Sequence, residues 1–315
     1  NLISEMKLGD DSKYAPYVNY LLAEPWGQLP SAWSKQGRAL LINMLEKNTV
    51  DPIPPIDPED WLNEWYDGCN GSHDPFEENA SLVVIQRSWD DVLIPVYDMM
   101  SHRNGQWHNT ESNSVHGDSN VVVKAKRDIK AGEELYTSYN MCEDCSNRKD
   151  SYGTPEILRD YGFIEQYPQR WIFPEAIGFQ IDEKKEGSGI LSLSWIGNQP
   201  NVQDYEGLRD VKEGMKIVAK TLLKNPSGDI PPNEIATIRQ FHEAITKATD
   251  LAIKVAYTDD EACDADDDVC VVPSTRYDDL SDNKKLDYNV DVCDIDAYME
   301  FEEYDDIDEF KTQYR

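Results

Sequence analysis

Apolar residues in the first 90 positions recur at the spacing of amphipathic helices. One stripe of apolar and aromatic residues runs through residues 14–22, and a second runs through residues 40–45. Each stripe puts its side chains on one face of a helix, which is typical of a helix packed against a core. A proline-rich stretch at residues 52–58 separates these helices from another predicted around residues 61–66. The first 90 residues are therefore predicted to form a helical unit.

The pattern changes at residue 92 to short extended segments. Three are predicted, at residues 92–96, 121–125 and 134–139, and a turn-rich connector at residues 128–133 joins the last two. This part of the chain is therefore predicted to be a β region.

A single helix is predicted to follow the β region. It begins at Thr154, whose hydroxyl is expected to cap the free N–H groups, with Pro155 in the first helical position. It ends before Gly162, and its core face is expected to carry Ile157, Leu158 and Tyr161.

Beyond residue 171 the pattern predicts a hairpin followed by two long amphipathic helices. The hairpin strands are residues 178–182 and 190–196, and the triplet at residues 187–189 (GSG) forms the tip. One helix carries an apolar stripe between residues 208 and 222, and the other carries a stripe between residues 235 and 255. Two such stripes are expected to face each other in a helical hairpin, which predicts a second domain from about residue 171.

The length of 315 residues is sufficient for two domains. No stretch approaches the roughly 20 apolar residues that a membrane-spanning helix needs, so no membrane partner is expected. The first residues resemble the interior of a helix and do not begin with Met, so we expect a segment upstream, and no targeting signal is visible. Sequons at Asn70 and Asn79 would permit glycosylation in a secretory setting. The compartment is left open, with an intracellular one favoured.

The formal net charge of -31 argues against a nucleic-acid ligand, because neutralising phosphates needs clustered Lys and Arg. A basic protein or peptide is easier to accommodate, and a monomer is expected. Residues 259–309 alone contain 21 acidic and 3 basic residues. Two interpretations of this acidic tail stay open, a solvated segment and a docking surface for a basic partner.

The cysteines and histidines do not predict a metal site. Cys142 and Cys145 could supply half of a zinc site, form a disulfide or remain free thiols, and the other four cysteines offer no second close pair. His102, His108 and His116 fall within one loop region, but no Asp or Glu completes a recognisable ligand spacing there.

Four motifs occur in order between residues 93 and 165. Residues 93–102 (LIPVYDMMSH) contain an apolar strand, Pro, Asp and a final His, and Asn109 follows them. Residues 125–135 (AKRDIKAGEEL) lead to Tyr139, and residues 161–165 read YGFIE. In this order the motifs resemble the C-terminal half of a SET domain, the fold of many lysine methyltransferases.

Three further segments narrow the resemblance. Residues 13–17 (KYAPY), 21–22 (LL) and 33–34 (WS) are similar to the insert of the Rubisco large-subunit lysine methyltransferase group, which also carries a helical C-terminal domain. The resemblance implies an α+β fold, with a SET domain at residues 1–170 and a mainly helical domain with the acidic tail at residues 171–315. Within the SET domain it assigns residues 1–90 to the helical insert and 91–170 to the C-terminal core. The family's N-terminal Gly-x-Gly strand is missing from this chain.

The resemblance also implies an activity. It implies an S-adenosylmethionine-dependent protein-lysine N-methyltransferase, with a non-histone protein or peptide as its substrate. Tyr139 would carry the hydroxyl beside the transferred methyl group, and Tyr161 would line the lysine channel. A core tyrosine is the alternative for each. The cofactor pocket would be formed by Arg87, Asp98, Ser101 and His102, with a plain surface arginine as the alternative for Arg87.

Two departures from the family pattern support a different class of function. Ser101 stands where the family has Asn, so one cofactor hydrogen bond is expected to be lost or shared with water. The second departure is that the chain lacks the family's Gly-x-Gly strand. A catalytically inactive SET module that serves as a protein-interaction scaffold is therefore the alternative.

Overall fold

The computed structural model describes residues 2–46, 60–89, 92–112, 121–140, 152–173, 177–183, 185, 187–196, 200–224, 226 and 229–257. The helices of this part of the chain are α1 (Leu2–Leu8), α2 (Ala15–Ala23), α3 (Lys35–Glu46), α4 (Asp60–Asn63), α5 (Pro75–Arg87), α6 (Thr154–Tyr161), α7 (Val202–Val218) and α8 (Pro232–Tyr257). Its strands are β1 (Ser88–Trp89), β2 (Val92–Leu93), β3 (Ser101–His102), β4 (Thr110–Ser112), β5 (Val123–Ala125), β6 (Tyr136–Thr137), β7 (Gln169–Ile172), β8 (Gly178–Glu183) and β9 (Leu191–Ile196). Helices and small sheets together agree with the predicted α+β class.

The helices predicted in the first 90 residues are confirmed. α2 and α3 cover the two apolar stripes, and α4 continues into a π-helical turn at Glu64–Gly68. α1 packs against both α2 and α5, around a small core of Met6, Val18 and Ala80. The proline-rich stretch lies outside the described residues.

The strands of the β region are present but shorter than predicted. β2 ends at Leu93, because Pro95 has no N–H for a ladder and Val96 has a positive φ of 77° that leaves the extended conformation. β2 pairs antiparallel with β1, and β5 pairs antiparallel with β4. β6 covers two residues of the predicted segment and pairs with β3.

Among the described residues from 92 to 140, all those that are buried are polar. They are Arg103, Asn104, Asn109, Thr110, Thr137 and Asn140. Large apolar side chains such as Val96 and Met99 are exposed. The fold of this region is therefore stabilised mainly by hydrogen bonds. A buried polar group that lacks a hydrogen bond is costly.

Helix α6 has the predicted bounds, but its predicted cap is wrong. Gly153 is the cap residue, Thr154 is the first helical residue and Pro155 is the second. The carboxylate of Glu156 accepts from the N–H of Gly153 at 2.7 Å, which supplies the capping interaction. The Thr154 hydroxyl instead donates to Glu165, because burial gives it a stronger acceptor there.

The predicted hairpin and the two long helices are confirmed. β8 and β9 pair antiparallel, and Gly187 and Gly189 adopt positive φ at the tip. α7 packs against α8 and continues into a π-helical turn at Ala219–Leu223. β7, which the sequence pattern did not predict, pairs with β8 and extends the hairpin into a three-stranded sheet.

The largest core spans the predicted domain boundary at residues 170 and 171. It gathers the inner residues of β7–β9, α7 and α8, and it also contains Trp33, Leu40, Leu41 and Met44 from the predicted insert. The division into domains stays a prediction. The acidic tail lies outside the described residues.

None of the described helices combines the length and the apolar character needed to cross a membrane.

Candidate active site

Parallel pairing of β3 with β6 brings the predicted catalytic tyrosine next to the predicted cofactor pocket. His102 stands opposite Thr137 in the register, two residues before Tyr139. The N–H of Arg103 then donates to the carbonyl of Thr137 at 3.1 Å, which extends the pairing by one residue. Tyr139 lies two residues after Thr137, and its ring centroid is 5.0 Å from that of His102.

The hydroxyl of Tyr139 is held by the main chain. It donates to the carbonyl of Met100 at 2.5 Å. Burial raises the pKa of Tyr139 to about 12, while the nearby positive charge of Arg87 acts to lower it. At neutral pH the hydroxyl therefore keeps its proton, and Tyr139 is a neutral polar group instead of a base.

Tyr161 and Phe163 complete an aromatic cluster with Tyr139 and His102. The ring centroid of Tyr161 lies 4.5 Å from that of Tyr139 and 6.4 Å from that of Phe163. Phe163 is 36% exposed, so the cluster reaches the surface. Gly162 allows the chain to turn between the two rings, because its φ is 80° and a Cβ there would lie 2.4 Å from the carbonyl oxygen of Gln28.

Arg87 and Asp98 form a partly buried ion pair that joins α5, in the predicted insert, to the predicted C-terminal core. Arg87 donates to the carbonyl of Asp98 at 3.1 Å, and its Nη1 lies 3.7 Å from Asp98 Oδ2. The hydroxyl of Tyr17 donates to Asp98 Oδ2 at 2.6 Å, and Glu24 Oε2 lies 3.5 Å from Arg87 Nη2. Arg87 also stacks over the ring of Tyr20. It is therefore not a plain surface arginine.

Asp98 keeps one acceptor unused among the described residues. Its Oδ1 is buried and has no hydrogen-bond partner there. Burial raises the pKa of Asp98, although the hydroxyl of Tyr17 and the charge of Arg87 both act to lower it. A buried acceptor without a donor is costly, so this atom is suited to a ligand that brings a donor.

A small cavity that Arg87 helps to line lies between α2 and α5. Its polar lining includes Glu24, Gln28, Asn79 and Gln86. The amide nitrogen of Asn79 is buried and lacks a partner within the described part of the chain. The sequon at Asn79 thus lies in helix α5 with its acceptor nitrogen covered, whereas Asn70 is exposed.

Ser101 and His102 both have protein partners. The Ser101 hydroxyl donates to Glu134. The N–H of Tyr139 donates to His102 Nδ1 at 3.0 Å, and His102 Nε2 lies 2.7 Å from Glu165 Oε2. Nδ1 therefore carries no hydrogen and Nε2 does, so the ring is the neutral Nε2–H tautomer.

Asn109 fixes β6 from its other side. Its amide oxygen accepts from the N–H of Tyr136 at 2.8 Å, and its amide nitrogen donates to the carbonyl of Glu134 at 2.8 Å. The buried side chain of Asn109 therefore forms hydrogen bonds with main-chain groups that would otherwise need a neighbouring strand as partner. It holds the segment that leads to Tyr139.

Glu165 is the main residue of the site that the sequence did not predict. Its buried carboxylate contacts His102, Asn104, Asn140 and Thr154. Glu is usually exposed, so nothing in its local pattern marks it for burial. Its place in the YGFIE motif is the available signal.

Within the described part of the chain, no group of three or more His, Cys, Asp or Glu is arranged to bind a metal ion. His108 is half-buried next to Lys126, and burial lowers its pKa to about 4. Cys142, Cys145 and His116 lie outside the described residues, so the alternatives for them stay predictions. Cys69 is an exposed free thiol.

The family model for the SET domain matches residues 16–140, a range that includes five of the six predicted site residues and ends before Tyr161. Neither the curated proteins nor the solved structures compared with the chain gave a match. The likeness to the Rubisco methyltransferase group stays a prediction. SET domains are generally protein-lysine methyltransferases that use S-adenosylmethionine. The match at residues 16–140 supports a SET-domain protein.

Proposed function

We propose that this protein is an S-adenosylmethionine-dependent protein-lysine N-methyltransferase that acts on a non-histone protein. The observation that carries the proposal is the Tyr139 hydroxyl, bonded to the carbonyl of Met100, with its ring packed against those of His102 and Tyr161. The SET match supports the class of reaction. The non-histone substrate rests on the resemblance to the Rubisco methyltransferase group.

The polar groups beside Tyr139 fit the amino-acid end of the cofactor. S-Adenosylmethionine supplies a methyl group on a sulfonium, and its amino-acid end carries a carboxylate and an ammonium group. The guanidinium of Arg87 suits the carboxylate, and the unused acceptor Oδ1 of Asp98 suits the ammonium group. Arg87 and Asp98 are therefore proposed to hold that end.

The side chains of Ser101 and His102 are proposed to donate fewer hydrogen bonds to the cofactor than Arg87 does. The Ser101 hydroxyl already donates to Glu134, although its oxygen can still accept a hydrogen bond. Both ring nitrogens of His102 are engaged by Tyr139 and Glu165. A contribution of His102 to the cofactor would therefore come from its main chain.

The aromatic cluster suits the substrate amine. Free lysine has a pKa of about 10.4, and its nitrogen must lose a proton before it can attack a methyl group. The rings of Tyr139, Tyr161 and Phe163 offer a poorly solvating wall, which disfavours the ammonium form. Since Tyr139 keeps its own proton, solvent is the proposed acceptor of the lysine proton. The partial exposure of Phe163 gives a protein substrate access to this wall.

Methyl transfer from tritiated S-adenosylmethionine by the full chain tests the proposal. An array of lysine-containing peptides serves as the acceptor. Tyr139→Phe should lower transfer on the order of 100-fold, as expected when one preorganised polar group is removed from a reacting centre. Tyr14→Phe, at an exposed tyrosine of the same chain, should leave transfer unchanged. Activity of Tyr139→Phe near that of the wild type would remove Tyr139 from the catalytic role.

One observation favours the inactive scaffold as a second candidate. Ser101 replaces the family's Asn, and its single hydroxyl hydrogen is already donated to Glu134. Calorimetric titration of the full chain with S-adenosylmethionine separates the two functions. Saturable binding together with labelled peptides supports the enzyme, and absence of binding supports the scaffold.

A further inference from the structure

The carboxylate of Glu165 is surrounded by hydrogen-bond donors. Its side chain is 1% exposed. One oxygen, Oε2, accepts from His102 Nε2 at 2.7 Å, from Asn140 Nδ2 at 3.2 Å and from Asn104 Nδ2 at 3.3 Å. The other oxygen, Oε1, accepts from the hydroxyl of Thr154 and from the N–H of Arg170. Each oxygen thus faces donors, which is how a buried carboxylate is stabilised.

These donors come from four separate parts of the site. His102 belongs to β3, Asn140 follows β6, Thr154 opens α6 and Arg170 lies in β7. One carboxylate therefore connects the strand pair that carries Tyr139 to the helix that carries Tyr161.

The contact with His102 determines how the ring meets Tyr139. Because Glu165 only accepts, Nε2 must carry the hydrogen, and Nδ1 is left as the acceptor for the N–H of Tyr139. An imidazolium, or the other tautomer, would point an N–H at the N–H of Tyr139. Glu165 therefore affects the main chain of Tyr139 indirectly, because the hydrogen bond it accepts from Nε2 leaves Nδ1 free to accept from the N–H of Tyr139.

Glu165 also restrains the residues on both sides of Tyr139. Asn140 donates to Glu165 and accepts from Asn104 Nδ2 at 2.9 Å. The hydroxyl of Ser138 donates to Asn104 Oδ1 at 2.7 Å. Residues 138 and 140 are both held by this network, so the backbone of Tyr139 has little freedom to move.

From this geometry we propose that Glu165 is a positioning residue for Tyr139, which acts through the tautomer of His102. The assignment deepens the proposed methyl-transfer function and rests on it for its role in catalysis. The structural part of the assignment, from Glu165 to the ring and from the ring to the N–H of Tyr139, does not depend on any substrate.

Two substitutions separate acceptor chemistry from packing. Glu165→Gln keeps the size of the side chain but points an N–H₂ group at one set of donors. Glu165→Asp is shorter but accepts with both oxygens. If Glu165 works as an acceptor, the Asp variant should resemble the wild type more than the Gln variant does. A side chain that only fills space would give the opposite order.

Nitrogen-15 spectra of the histidine rings provide the readout. The chain has five histidines, and His102→Gln identifies the signal of His102. Wild type and Glu165→Asp should show the Nε2–H tautomer, and Glu165→Gln should lose it, with amide exchange of Tyr139 about 10-fold faster or more. Glu156→Gln is the matched control, because Glu156 is also a buried glutamate, lies on α6 and bonds to Gly153. It should leave the signal of His102 unchanged.

Methyl transfer by the same variants completes the test. Glu165→Gln should lower kcat by about 10- to 100-fold with a smaller change in KM, as expected when a reacting group is misplaced. A wild-type His102 signal in Glu165→Gln, or a Gln variant closer to wild type than the Asp variant, would overturn the positioning role. Absence of transfer by the wild type, with the histidine signals as expected, would overturn the proposed function and leave the geometric assignment supported.

Discussion

At the scale of single residues, the buried carboxylates of Asp98, Glu156 and Glu165 differ in how their burial is compensated. Glu165 faces donors at both oxygens, whereas Asp98 has one oxygen without a partner among the described residues. Glu156 accepts from the N–H of Gly153, close to the acidic Asp160. Burial raises the pKa of Asp98, and it raises that of Glu156 to about 7. A carboxyl with few donors is better tolerated in its neutral form.

The raised pKa of Glu156 predicts a pH dependence of stability. The unfolded chain loses this proton near the ordinary pKa of 4.5, whereas the folded chain keeps it up to about 7. Unfolding therefore releases a proton in this window, and the contribution present below about pH 4.5 is lost as the pH rises through 7, by about 3 kcal/mol. Glu156→Gln is neutral throughout and should gain stability relative to the wild type over the same window. Urea unfolding of both proteins at several pH values measures the difference, and a constant difference would contradict the raised pKa.

At the scale of elements, the start of helix α3 is held by Glu234, which lies 200 residues further along the chain than Ser34. Ser34 precedes α3, and its hydroxyl accepts from the N–H of Gly37 at 3.0 Å. Glu234, near the start of α8, accepts from the N–H of Ser34 at 2.8 Å and from its hydroxyl at 2.6 Å. Gly37 leaves room for this approach, because a Cβ there would lie 1.9 Å from Glu234 Oε2. The start of α8 and the start of α3 are thereby joined.

Gly37→Ala should therefore destabilise the protein, although alanine is the better helix former. The gain in helix propensity is about 1 kcal/mol. Displacing Glu234 loses two hydrogen bonds to a buried charge, worth about 1.5–3 kcal/mol each. A net loss of about 2–5 kcal/mol is therefore expected in urea unfolding.

Gly207→Ala on α7 is the matched control for this prediction. A Cβ at Gly207 would meet no atom within 4 Å, so the helix propensity alone should act there. We expect a gain of up to about 1 kcal/mol. Equal effects of the two substitutions would mean that Glu234 does not hold α3.

At the scale of the whole molecule, one apolar core joins the predicted insert to the C-terminal elements. α3 packs against α8, and the apolar residues of α3 share a cluster with Trp171, Phe179 and Phe241. The described residues from 92 to 140 add buried polar groups instead of an apolar core of their own. The apolar stabilisation of α3 therefore comes from the C-terminal sheet and helices.

Leu41→Ala tests this shared core. Leu41 is fully buried on α3, and truncation of such a leucine costs about 2–5 kcal/mol. If α3 and α8 unfold as one cooperative unit, hydrogen exchange should accelerate in both helices to a similar extent. Leu8→Ala, at a leucine that is 52% exposed, should change neither. Acceleration confined to α3 would show that the two parts unfold separately.

The sequence by itself determined the elements whose signal is local. The spacing of apolar residues predicted α2, α3, α7 and α8, because each of these shows one repeating face to a core. Pro155 and Gly162 marked the start and end of α6, and the extended segments around the GSG triplet predicted the hairpin of β8 and β9. The order of the motifs predicted the SET domain, which the family match supports. It also nominated Tyr139 and His102, which the pairing of β3 with β6 brings into contact.

Only the tertiary structure decided which polar groups are buried and what they meet. No local pattern marks Glu165 or Glu234 for burial, since their partners lie far away in the sequence. The motif order nominated Asp98, but its contact with Tyr17 was decided by the fold. The predicted strands were too long for a related reason. A strand extends only as far as a neighbouring strand pairs with it, and the residues of one strand do not reveal where its neighbour ends. The acceptor role of Glu165 is likewise set by the donors that folding brings to it.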